Sequence, residues 1–143
     1  METVKLTYDI DGENFSAAGE ASTAAKRVLK KLKLPSQIVR RAVVCMYEGE
    51  INMVIHADGG TAVGVDEEKI VITLRDRGPG IPDIDQAMEE GWSTASSSVR
   101  EMGFGAGMGL PNMKRNSDIM TIDTELGVGT TVTMTLMIGG ETA

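Results

Sequence analysis

Ile70-Val-Ile-Thr-Leu-Arg-Asp76-Arg-Gly78-Pro-Gly80 carries an apolar run into a carboxylate and then into a glycine turn. The near-continuous apolar residues read as a central strand. Asp76 stands at the end of that strand. Glycine admits positive φ and lets another group come close to the backbone. A second glycine run, Gly103-Phe-Gly105-Ala-Gly107-Met-Gly109-Leu110, leads into a helix-like stretch. Backbone N–H groups at a helix N-terminus suit phosphate, so the second run reads as a loop around an anion. A merely flexible linker has the same composition.

Working outward, residues 3–10 alternate. Val4, Leu6, Tyr8 and Ile10 face one way, and Lys5, Thr7 and Asp9 the other, as in a half-buried strand. A helix is predicted over 16–33, with Ala18, Ala21, Ala25, Val28, Leu29 and Leu32 on its apolar side and basic residues in its last turns. Ser36 is a good N-cap for a second helix over about 37–57. Asp58-Gly59-Gly60 stops that helix. Strands follow at 61–65 and 69–75 around the acidic turn Asp66-Glu67-Glu68. Pro82-Asp83 opens a short helix to about Glu90, and residues 91–108 read as a loop rich in Ser, Gly and Thr. The helix predicted after it runs from about Gly109 to Asn116. Two alternating strands, 118–125 and 129–138, join at Leu126-Gly127-Val128. The order β-α-α-β-β-α-α-β-β predicts an α+β fold in one domain spanning 1–143. Its architecture is a two-layer α/β sandwich, with helices on one face of a mixed, mostly antiparallel sheet.

Composition narrows the function classes. The net charge of −7 argues against a basic grip on nucleic acid or on an anionic membrane. It leaves nucleotide phosphate open, because backbone N–H groups and helix dipoles hold anions inside acidic proteins. A single cysteine rules out an internal disulfide and makes a cytoplasmic location the expectation. Cys45 reads as a core residue. The ten methionines read as core filler. No apolar stretch reaches the ~18 residues of a membrane span, and the start Met-Glu-Thr-Val-Lys-Leu is unlike a signal peptide.

Glu48, Asn52 and His56 recur at intervals of four on the second helix. At ~100° per residue they share one face. A carboxylate and an amide there can activate a hydroxyl and ligate Mg²⁺, which prefers oxygen donors. A solvated helix face has the same spacing. Asp76 at its strand end can accept a hydrogen bond from an exocyclic amine such as that of adenine; an ordinary strand-capping turn also fits. The late glycine run lacks the early strand–turn–helix setting of a dinucleotide fingerprint and the Gly-Lys-Ser/Thr of a Walker loop.

Taken together, Glu48-x-x-x-Asn52, Asp76-x-Gly78-x-Gly80 and Gly105-x-Gly107-x-Gly109-Leu110 resemble the three boxes of the GHKL (Bergerat-fold) ATPases. Gly129-Thr130 before the last strand fits as well. The segment from Asp76 to Thr94 resembles the small RsbT-like and RsbW-like serine/threonine kinases of bacterial partner switching. The resemblance implies a Bergerat ATP-binding fold and the cofactors ATP and Mg²⁺. It implies Glu48 as general base, Asn52 as the Mg²⁺ ligand and Asp76 as the adenine contact. Gly78 and Gly80 would shape the base pocket. Gly105, Gly107, Gly109 and Leu110 would hinge a lid on the phosphate side, and Thr130 would join the nucleotide site. The implied partner is a STAS-like antagonist protein; a sigma factor and a second copy of the chain are further candidates.

One departure stands out. The stretch Ala95 to Met102 before the glycine run is longer than expected of the switch kinases. It could bring Arg100 to the γ-phosphate, and Arg100 as a solvated side chain reads equally well. Ser96, Ser97 and Ser98 need no reading beyond loop composition, and His56 reads as packing at a helix end. The long stretch keeps an alternative in view: a non-catalytic regulator in which nucleotide binding orders residues 91–108 to recruit a partner.

Overall fold

Five strands and three helices account for most of the residues that the computed structural model describes, namely 4–10, 19–56, 59–66, 68–77, 88 and 109–138. The strands are β1 (Val4–Ile10), β2 (Gly59–Val65), β3 (Lys69–Asp76), β4 (Ile119–Glu125) and β5 (Gly129–Met137). The helices are α1 (Glu20–Lys31), α2 (Ser36–His56) and α3 (Gly109–Asn116). The sheet order is β1-β2-β3-β5-β4. All four pairings are antiparallel, so the sheet expected to be mostly antiparallel is antiparallel throughout the described pairings. The chain is an α+β fold. The short helix expected from 82, and the loop 91–108, lie outside the described residues apart from Met88.

Alternation decides which face is buried. On β3, Ile70, Ile72 and Leu74 point inward, and on β5, Val132, Met134 and Leu136 do the same. These meet Ala25 and Leu29 of α1, Val39, Ala42, Cys45 and Met46 of α2, and Met113 of α3. Each buried aliphatic side chain contributes roughly 1.5–3 kcal/mol relative to exposure. Met46, Met53, Met113 and Met134 are all buried, as the core-filler reading expects. Cys45 is also core. Its thiol donates to the Met113 carbonyl at 3.7 Å, and burial pushes its pKa up to about 12.

Two boundaries differ from expectation. Helix α1 starts at Glu20, behind Gly19, whose φ of 94° is left-handed. Its cap is remote: Glu50 of α2, 2 % exposed, accepts the N–H groups of Gly19, Ala21 and Ser22 at 3.0, 3.1 and 3.0 Å. Those are the N–H groups that the first turn of a helix leaves without partners, and a carboxylate there also complements the helix dipole. The second difference is at Gly59-Gly60. Both belong to β2, in register with Asp76 and Arg75 of β3, in addition to following α2.

Candidate functional site

The end of β3 is held in a slot of glycines. Gly59 of β2 is the register partner of Asp76. A Cβ at Gly59 would meet the Arg75 carbonyl oxygen and, at 2.7 Å, the Met53 sulfur. On the other side Gly129 has a φ of +151°, and a Cβ there would strike the Asp76 carbonyl oxygen. Both neighbouring strands therefore approach the Asp76 backbone only because these positions lack side chains. The Asp76 Oδ1 accepts the Thr130 N–H at 3.0 Å, which orients the carboxylate. Thr130 is buried, and its hydroxyl lies 2.9 Å from that of Thr124.

Helix α2 brings the second part of the site onto the same strand. A Cβ at Gly49 would collide with Leu74, so α2 rests on β3 beside Glu48 and two residues before Asp76. A glycine inside a helix costs about 1 kcal/mol relative to alanine. Here it sets the helix-to-strand distance. Glu48 is half-buried, and its Oε1 accepts from Asn112 Nδ2 of α3 at 3.2 Å. Asn52 lies one turn further along α2; its side chain and that of His56 are outside the described residues. Gly109 is the first residue of α3, and Leu110 packs half-buried against the core. Gly78, Gly80, Arg100, Gly105 and Gly107 fall outside the described residues.

A cavity of about 880 Å³ opens at the strand ends, lined among others by Gly59, Asp76, Arg77, Thr124, Gly129 and Thr130. Its volume lies in the ~300–1,000 Å³ range of small-molecule pockets. It extends over the outer sheet face to Thr7 and Thr73, and Glu48 is not among its described lining residues. An oriented carboxylate in a glycine-lined slot can accept a hydrogen bond from the exocyclic amine of a purine base. Among the described residues no cluster of three His, Cys, Asp or Glu could hold a metal on its own.

Sequence reasoning missed Glu50, Gly49 and Asn112. Glu50 left a signal, a charge among the apolar residues Met46, Ile51 and Met53. Asn112 left none, since its partner Glu48 is 64 residues away.

Residues 33–139 match the family of histidine kinase-, DNA gyrase B- and HSP90-like ATPases. The chain belongs to that family, the GHKL ATPases of the sequence resemblance. Within it, the chain is 33% identical over 97 residues to the serine/threonine-protein kinase RsbT of Bacillus subtilis (strain 168), covering 68% of this chain and 62% of that protein. It is 30% identical over 102 residues to the anti-sigma F factor of Bacillus licheniformis, covering 70% and 62%. With the Geobacillus stearothermophilus anti-sigma F factor the identity is 29% over 97 residues, covering 68% and 60%. The matches thus span about three fifths of the length of these relatives. No described helix is long and apolar enough to cross a membrane.

Proposed function

We propose that this protein is an ATP- and Mg²⁺-dependent serine/threonine kinase of the anti-sigma and partner-switch type. The observation that carries the reading is the Asp76 carboxylate, oriented by the Thr130 N–H in its glycine slot, on the strand that α2 presses against beside Glu48. The family match and the similarity to RsbT and the anti-sigma F factors support it.

In this reading Asp76 accepts the adenine amine, Gly78 and Gly80 shape the base pocket, and Thr130 joins the nucleotide site. Asn52 ligates Mg²⁺. Gly105, Gly107, Gly109 and Leu110 form the phosphate side, with Arg100 as a further contact. When bound, ATP supplies the γ-phosphoryl group. Glu48 accepts the proton of a Ser or Thr hydroxyl on the protein substrate as that oxygen bonds to the γ-phosphorus and the bond from that phosphorus to the bridging oxygen breaks, so that ADP leaves. Positioning and charge neutralisation dominate such transfers. The substrate is a small STAS-like antagonist, and a cytoplasmic location goes with this role. A sigma factor or a second copy of the chain are further partners of the same reading.

The test is incubation of wild type and Glu48→Ala with γ-labelled ATP and a cognate antagonist. Label on the antagonist with wild type, lost at least a hundredfold in the variant, supports the reading. Tight ATP binding with no transfer to any antagonist sinks it.

A further inference from the structure

We propose that Asn112, in the first turn of α3, positions the Glu48 carboxylate, and that Arg115 fixes the orientation in which it does so. The inference rests on the reading of Glu48 as the base.

Three side chains on two helices form the relay. Arg115 Nη2 donates to Asn112 Oδ1 at 2.7 Å, and Asn112 Nδ2 donates to Glu48 Oε1 at 3.2 Å. A guanidinium has only donors, so the end of the amide facing Arg115 must be its oxygen. The NH₂ group then points the other way, at a carboxylate that can only accept when ionised. The amide has one orientation that satisfies both neighbours, and it presents a donor to Glu48. The backbone carbonyl of Asn112 also accepts from Asn116 Nδ2 at 2.8 Å, which stiffens the turn that holds it.

The consequence for Glu48 is a choice between its two oxygens. A glutamate side chain rotates freely about several bonds, and a base must sit within hydrogen-bond reach of the proton it takes. With Oε1 committed to Asn112, Oε2 is the oxygen left for a substrate hydroxyl. Helix α3 starts at Gly109, so Asn112 lies three residues beyond the glycine run assigned to the phosphate side. Glu48 is thereby held by the helix that begins where that run ends.

The experiment compares Asn112→Asp and Asn112→Ala with wild type in phosphate transfer to the antagonist. The aspartate substitution keeps the shape of the side chain and an acceptor for Arg115, but sets a second carboxylate against Glu48. The expected result is a kcat at least tenfold lower in Asn112→Asp and at least threefold lower in Asn112→Ala. The KM for ATP stays within twofold, and the thermal midpoint of Asn112→Asp stays within a few degrees of wild type. An unchanged kcat in Asn112→Asp overturns the proposal. So does a loss explained by a raised KM or by unfolding. A readout without activity separates this from the kinase reading: the side-chain amide resonance of Asn112, assigned by its loss in Asn112→Ala, shifts in Glu48→Ala. If it does not shift, the contact is absent in solution and the proposal fails. A wild type that transfers no phosphate while the resonance does shift overturns the kinase reading, and the role in catalysis with it.

Discussion

Asp76 Oδ1 accepts the backbone N–H of Thr130 at 3.0 Å, so the carboxylate proposed to read the adenine amine is aimed by the neighbouring strand. An asparagine in its place keeps an acceptor for Thr130 but loses the charge and replaces one oxygen with a donor. Hydrogen bonds to charged groups are worth about 1.5–3 kcal/mol, so Asp76→Asn lowers ATP affinity about tenfold to a hundredfold with little change in stability. Titration calorimetry with ATP and a thermal melt check both halves. Unchanged affinity removes Asp76 from the site.

The slot around Asp76 makes two glycines of one hairpin unequal. Gly127 has a φ of +79° with open space at its Cβ, so Gly127→Ala incurs only the left-handed backbone cost, about 1 kcal/mol. Gly129 combines a φ of +151° with a Cβ directed at the Asp76 carbonyl. Gly129→Ala is expected to cost about 2 kcal/mol or more. Urea unfolding of the two variants gives the comparison, and equal losses would refute the slot.

Glu50 joins two helices through a single buried carboxylate. Glu50→Ala leaves the N–H groups of Gly19, Ala21 and Ser22 without their acceptor. At about 1–3 kcal/mol for each buried unsatisfied group, the variant loses about 3 kcal/mol or more. The loss is local first, so hydrogen exchange at Ala21, Ser22 and Thr23 speeds up more than in the central strands. Uniform acceleration across the sheet would contradict this.

What could be read in the sequence was what short-range pattern encodes. The strands at 4–10, 119–125 and 129–137 lie within a residue of the alternating segments. The spacing of Glu48 and Asn52 places them one turn apart on a helix, and α2 spans both; the apolar run before Asp76 predicts a strand, and β3 ends at Asp76. What escaped is held by distant partners. Local pattern places the start of α1 too early because its cap is Glu50, 29 residues from Ala21. Gly59 looks like a helix stop in composition, while its role in the fold is to let β2 approach Asp76. No local signal marks Asn112 as the partner of Glu48.

Thr61 is 1 % exposed on the inner face of β2, and its hydroxyl has no hydrogen-bond partner among the described residues. Its register neighbours are Tyr8 of β1 and Leu74 of β3. Valine has nearly the same shape and favours strands. Thr61→Val therefore stabilises the fold by about 1 kcal/mol, a rise of roughly 4 °C in thermal midpoint. A lower midpoint would mean that the hydroxyl has a partner in solution.

Cys45 connects the core to pH. Burial raises its thiol pKa from 9.0 to about 12, against a smaller lowering by Arg41. The folded state therefore holds its proton more tightly than the unfolded chain does. Below pH 9 both states are protonated, and the thiol contributes no pH dependence. Above it the unfolded chain ionises first, and stability falls as pH rises from 9 toward 12, with a limiting slope of about 1.4 kcal/mol per unit. Cys45→Ala removes this dependence, at the cost of a small cavity beside Met113. Urea unfolding of both proteins at pH 8 and pH 10.5 measures the difference. The thiolate is the reactive form, so the folded wild type also reacts with a disulfide reagent at pH 8 far more slowly than the urea-unfolded chain. Equal rates in the two states would place Cys45 outside the core.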